Sequence, residues 1–237
     1  MLFAQLSRFR PTGAGRRTNE LERSWITLGT STRLQILRTA ERLFATQGID
    51  ATSLRQISAD AEQRNTAAAK YHFQNKPTLI RAIFDYRLDG IDTRRAQLLK
   101  LAEDEGRLDE PWHLVEVLVR PLAEQAAEPG SHYVRFLDRV CEHVGRDVTA
   151  LPEIAGLDEA VAVGRLVTDR LPFLSQPQVR PRIRWAGQLI LTALADLEQR
   201  NASADPRSDE PDTETFVVAL IDAVTGLLTA AASAPRE

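Results

Sequence analysis

One cysteine and one methionine in 237 residues leave little sulfur to work with. Cys141 has no second cysteine to pair with, which excludes a disulfide-stapled secreted scaffold and favours a reducing, cytoplasmic setting. With 12 glycines and 12 prolines there is neither a collagen repeat nor a low-complexity excess, and 43% apolar residues argue against wholesale disorder. Long apolar runs are missing too. The longest, residues 217–234, contains Asp222, and a carboxylate at a bilayer centre costs roughly 2.5–3.5 kcal/mol, so the run reads as a buried helix and no membrane is expected as a partner. The opening MLFAQLSRFRPTGAGRR carries four arginines and lacks the apolar block of a secretory signal. Residues 1–30 are expected to be a flexible basic arm.

Catalytic equipment is equally sparse. The four histidines are scattered, and Cys141 and His143, two apart on a helix, diverge. There is no HExxH, no G-x-S-x-G and no phosphate-cradling glycine loop, so no catalytic residue, metal site or cofactor is expected.

What is present is a divided charge. Residues 1–95 hold 16 Lys/Arg against 9 Asp/Glu, a balance of +7, while residues 96–237 hold 14 against 24, a balance of −10. A basic first segment beside an acidic remainder suits a protein in which only the first meets a polyanion.

Hydrophobic residues recur at helical spacing almost throughout, without sustained period-2 alternation, which predicts an all-α fold of about nine helices. Ser31 reads as the N-cap of a first helix carrying Ile36, Leu37, Ala40, Leu43 and Phe44, with Gly48 just past its end. Ser53 and Gln56 have capping-box spacing at a short second helix, a polar turn follows over residues 62–65, and a third runs from Thr66 to Phe73 with Asn65 or Thr66 as its cap. A long helix starts near Pro77 and reaches about Glu105. Five more are expected at 111–128 (kinked at Pro121), 131–147, 153–171, 177–200 and 213–232. The organisation is an arm over 1–30, a helix-turn-helix domain over 31–76 and a helical domain over 77–237.

Two short helices across a polar turn form a helix-turn-helix pattern, whose later helix enters a DNA major groove. Between Thr32 and Phe84 the residues Ile36-Leu37, Ala40, Leu43-Phe44, Gly48, Thr52-Ser53, Ile57, Ala61, Tyr71-His72-Phe73, Lys76 and Leu79 closely resemble the DNA-binding segment of the TetR/AcrR family of bacterial transcriptional regulators. That resemblance implies double-stranded operator DNA as a partner, phosphate contacts from Thr52, Ser53 and Lys76, and a role for His72 within the matched motif. It also implies a small-molecule effector held by the middle helices and a homodimer built by the last two. Glu62 stands where the family usually has glycine, at a turn that calls for positive φ, and Ala69 stands where leucine is usual.

Read by themselves, Ala69 and Phe73 point to the core, and Ala67, Ala68, Lys70 and Tyr71 to the outside. Alanine lets a backbone approach base edges, while lysine and tyrosine reach guanine edges or phosphates. Arg55 and Arg64 join the candidate DNA contacts on charge and placement, and Asn65 and Thr66 as caps at a helix start that is itself an anion site. For the effector, Phe84, Trp112, His113, Tyr133, Phe136 and Cys141 lie on the helices expected to enclose it, and an apolar ligand with one or two polar anchors is the default. For the dimer, the broad apolar faces of Leu189, Ile190, Leu194, Leu197 and of Val217, Leu220, Ile221, Val224, Leu228 suit four-helix packing across a two-fold axis; burial within one subunit is the alternative. Two recognition helices about 34–36 Å apart would then read a roughly palindromic operator. The competing function is a helical ligand- or partner-binding protein whose helix-turn-helix no longer binds DNA.

Overall fold

The structure, a computed structural model, describes residues 20–62, 67–146, 155, 157–203 and 211–232. Among these residues the chain forms nine helices and no strand: α1 Glu20–Gln47, α2 Leu54–Asp60, α3 Ala68–Phe73, α4 Lys76–Asp104, α5 Pro111–Ala127, α6 Tyr133–His143, α7 Asp158–Asp169, α8 Gln176–Asn201 and α9 Thr213–Thr229.

Helix α1 begins at Glu20, so Ser31 lies inside it and not at its start. It absorbs residues 20–30 of the expected arm, and residues 1–19 lie outside the described residues. Its far end stops at Gly48 (φ +88), whose N–H donates to Phe44 O at 3.0 Å, the left-handed termination that glycine adopts without a Cβ clash. Helix α4 is capped by Asn75, whose Oδ1 accepts from the Thr78 N–H at 2.9 Å, and Pro77 fits its first turn because no backbone donor is needed there. Helix α5 runs unbroken through Pro121. Helix α6 is shorter than the 131–147 expected, since positive φ at Gly145 and Arg146 closes it.

Phe44 of α1, Phe84 of α4 and Tyr133 and Phe136 of α6 are fully buried and meet ring to ring at 5.2–6.3 Å. This cluster joins α1 to the larger helical body. Two polar devices reinforce it. Arg87 of α4 makes a fork with the buried Glu41 of α1 (Nη2–Oε1 2.7 Å, Nε–Oε2 2.8 Å), and its other Nη donates to Gln125 and Glu128 of α5. Burial alone would lower the Arg87 pKa; the hydrogen bond and charge of Glu41, with Glu128 and Tyr86, outweigh that and raise it. Glu198 of α8, also buried, accepts from the N–H groups of Val134 and Arg135 and from Ser131 Oγ, satisfying the exposed donors at the start of α6. No helix among the described residues is long and apolar enough to cross a membrane.

Candidate functional site

Helices α2 and α3 are each too short to hold together alone, and three fixtures position them. Ser53 caps α2, its Oγ accepting from Gln56 N–H at 3.1 Å, while the Gln56 amide turns away to Gln47 and leaves the capping box half made. Ser58, fully buried on α2, donates to Leu54 O and accepts from the Ala69 N–H at 2.9 Å. One hydroxyl thus clamps α2 to α3 and satisfies an orphan donor at the start of α3. That is why α3 does without a side-chain cap: its N-cap is Ala67, not Asn65 or Thr66. The guanidinium of Arg33 lies 5.1 Å from the Phe73 ring centroid, a contact from α1 to the end of α3.

Of the expected DNA contacts, Ser53, Arg55, Ala67, Lys70 and Tyr71 are exposed, and His72 is half-buried with its ring edge-on to Tyr71 at 5.3 Å. Tyr71 is 82% exposed, against 1% for Phe73 two residues later. Ala69 and Phe73 face the core as their spacing requires. Ala68 does not follow the wheel: it is 8% exposed, because the α2–α3 approach covers both sides of the helix's first turn. Thr52 is fully buried and donates to Gly48 O at 2.9 Å and Leu43 O at 3.4 Å, so it terminates α1 and is closed to a phosphate. Lys76 donates to the carbonyls of Ile49 and Asp50 at 2.9 and 3.2 Å and is likewise spent on the α1–α2 turn. Arg64, Asn65 and Thr66 lie outside the described residues.

The turn explains one departure. Glu62 has φ +54, a left-handed conformation that costs a side-chain-bearing residue about 1 kcal/mol. Glu62→Gly is expected to raise unfolding stability by about 1 kcal/mol in urea titration and, by removing a carboxylate beside the exposed face, to tighten DNA binding; unchanged or weaker binding would count against this turn as part of the contact surface. Ser58→Ala leaves the Ala69 N–H buried and unpaired, and is expected to cost about 1–3 kcal/mol in the same titration. Sequence spacing does not reveal Ser58, because a serine on a helix's inner stripe looks like any small residue.

The helical body forms a partly open cavity of about 560 Å³ between α4, α5, α6, α7, α8 and α9. Of the six residues expected around it only Tyr133 lines it. Phe84 and Phe136 are spent in the aromatic cluster, Cys141 is buried elsewhere in the core, and Trp112 and His113 sit at the start of α5, where the Trp112 indole donates to Asp222 at 2.6 Å. The cavity wall is aliphatic instead, with Leu88, Leu122, Leu137 and Ile190 among its residues. Two arginines, Arg95 and Arg165, line it, and among the described residues no acidic one does. Arg95 is 5% exposed and was missed; the signal for it was an arginine in the α4 apolar stripe of Leu88, Ile91 and Leu98. Burial pushes the Tyr133 phenol well above its ordinary pKa, so it remains a hydroxyl donor.

The expected dimer faces are mostly interior. Ile190, Leu194, Leu197, Val217, Leu220, Ile221, Val224 and Leu228 are all buried within the single chain, and only Leu189, at 36%, is open. The α8–α9 pair packs these stripes against α5 and α6, so a wide apolar face reported intrachain core. The opposite arcs are what the chain leaves outside: Trp185 and Leu189 on α8, and Ala219, Ala223 and Gly226 on α9. Open space surrounds Gly226 where a Cβ would stand.

No group of three or more His, Cys, Asp or Glu among the described residues is placed to hold a metal. Residues 36–83 match the family model described as bacterial regulatory proteins, tetR family. A probable HTH-type transcriptional regulator, ArpR, of Pseudomonas putida is 29% identical over 119 residues, covering 47% of this chain and 54% of that protein; the chain thus spans about half the length of this curated relative. Among solved structures, a tetR-family regulator from Mesorhizobium loti matches at 15% identity and TM-score 0.41 over 84% of this chain and 97% of its own. The tetR-family regulator PfmR from Thermus thermophilus matches at 18% identity and TM-score 0.43, over 80% and 96%.

Proposed function

We propose that this chain is a DNA-binding transcriptional regulator of the tetR family rather than an enzyme, and that it acts in the cytoplasm as a homodimeric repressor released from a palindromic operator by a small ligand. The observation that carries the DNA reading is the two-sided character of α3. Ala69 and Phe73 are sealed into the core, while Lys70 and Tyr71 stand free beside exposed Ser53 and Arg55. Lys70 reaches a guanine edge or a phosphate, and Tyr71 donates to a phosphate. The small outward residue Ala67 lets the helix start approach bases.

Helix α4 serves both halves of the reading. Leu79 and Ile83 of α4 are buried in the core, and Leu88 and Arg95 further along it line the cavity. From Leu79 to Arg95 is 16 residues, or about 24 Å of helix. Arg87 lies between, forked to Glu41 of α1 and with its guanidinium carbon 5.7 Å from the ring centroid of Tyr133, a cavity residue. A ligand that binds more tightly to one setting of this junction shifts the spacing of two heads in a dimer, with coupling of about 1–3 kcal/mol.

The test is a titration of the protein against DNA from upstream of its own gene and its neighbours, with footprinting to locate the site. A specific site whose log affinity falls linearly with log salt supports the reading. A chain with neither specific site nor salt slope would be the rival, a helical binding protein with a silent helix-turn-helix.

A further inference from the structure

The cavity wall carries an imbalance that an apolar effector does not account for. Arg95 is nine-tenths buried and uses one nitrogen, Nη1, on Asp92 at 2.6 Å, a one-point contact that leaves its Nε–H with no acceptor. Tyr133, fully buried, has a hydroxyl with no partner. An unmade hydrogen bond at a buried donor is costly, and native proteins carry few, so two in the lining of one cavity need a reason. Both side chains line the space, Arg165 adds a second cation to the lining, and among the described residues the lining holds no carboxylate. Apart from Thr168, the rest of the wall is apolar.

We infer that the cavity takes an aliphatic carboxylate, its hydrocarbon chain along Leu88, Leu122, Leu137 and Ile190 and its carboxylate accepting from Arg95 Nε–H and Tyr133 O–H, donors that are covered in this structure and reach the ligand by a small turn of each side chain. The inference specifies the ligand class for the effector reading above and depends on that reading only for its regulatory meaning. A carboxylate offers acceptors alone, which suits the two donors left unmet in this wall, Arg95 Nε–H and Tyr133 O–H. A guanidinium in a low-dielectric wall favours an anion strongly over a neutral acceptor. Asp92 neutralises part of the Arg95 charge but is itself partly exposed, at 26%, and does not line the cavity. A cationic amphiphile meets two arginines and, among the described lining residues, no counter-charge. The volume falls within the range of cavities that hold small ligands.

Calorimetry on the whole chain without DNA tests this with three probes of one chain length, each below its micelle-forming concentration: dodecanoate, dodecanol and dodecyltrimethylammonium. Dodecanoate is expected to bind one per chain and at least tenfold more tightly than dodecanol, and the ammonium compound not to bind. Tyr133→Phe keeps the ring volume and is expected to weaken dodecanoate by about three- to tenfold. Arg95→Gln is expected to abolish the preference for acid over alcohol, with circular dichroism melting to show that the variant folds. Equal binding of acid and alcohol by the native chain, competition by the ammonium compound, or an undiminished preference in folded Arg95→Gln would each overturn it. Because no DNA is present, a selective cavity in a chain that ignores DNA would sink the regulator reading alone, and an operator-binding chain indifferent to dodecanoate would sink this one alone.

Discussion

Arg87→Met is expected to cost about 3–5 kcal/mol of unfolding free energy in urea titration, the largest loss of any single exchange considered for this chain. The magnitude follows from what it leaves behind. Glu41 is 4% exposed at its side chain and Arg87 13%, so removing the guanidinium strands a carboxylate in the core with its fork of 2.7 and 2.8 Å bonds gone. Removing both charges is a different experiment. Glu41→Leu with Arg87→Met replaces the pair by apolar volume, and the double variant is expected to recover most of the loss, since a buried ion pair contributes little net stability over a packed hydrophobic equivalent. A loss below about 1 kcal/mol for the single exchange would show that water reaches Glu41 and that the pair behaves as a surface one. The same variants probe coupling. Arg87 bridges α1, α4 and α5 and stacks near Tyr133, so the double variant is expected to fold yet lose part of any ligand effect on operator affinity.

Ala223→Arg is expected to lower operator affinity by about 10²–10⁴-fold while leaving the chain folded. Ala223 is exposed on α9, between Ala219 and Gly226, so an arginine there displaces nothing within the subunit. Against a second copy it is another matter. Small residues at positions 219, 223 and 226 permit close helix approach, with Trp185 and Leu189 of α8 as the apolar area beside them, and a long charged side chain obstructs that approach. A dimer on a palindrome gains its affinity by tethering the second head to the first, so a monomer forfeits the gain. Sedimentation velocity reads the assembly and fluorescence anisotropy the affinity. A dimeric Ala223→Arg with native affinity would place the two-fold contact elsewhere.

How much of this was legible beforehand differs from one segment to the next. The α3 face was largely readable: six residues at helical spacing fix Ala69 and Phe73 on one side and Lys70 and Tyr71 on the other. Glu62 was readable as a turn residue in need of positive φ, and its φ of +54 bears that out. Thr52 and Lys76 were not readable as structural, because a hydroxyl or an ammonium serves a carbonyl and a phosphate equally well in sequence. Their actual partners, Gly48 and Ile49, become neighbours only when the α1–α2 turn closes.

The cavity and the α8–α9 pair show the same division more sharply. Aromatic residues on the middle helices were a reasonable guide to burial, and Phe84, Tyr133 and Phe136 are indeed fully buried, but burial against one another and burial around a space have one pattern in sequence. Arg95 and Glu198 were detectable only as charges inside apolar stripes, without a hint of what each faces.

By itself the amino-acid order determined that this chain is all-helical, which arcs of its helices are apolar, and that a helix-turn-helix lies near its start, because those properties follow from periodicity and local hydrogen bonding. Only the tertiary structure decided which apolar arc seals a core and which stays outside, and which buried donors are left without acceptors. Those outcomes depend on the relative rotation and separation of helices distant in the chain, and a periodicity of 3.6 carries no record of either.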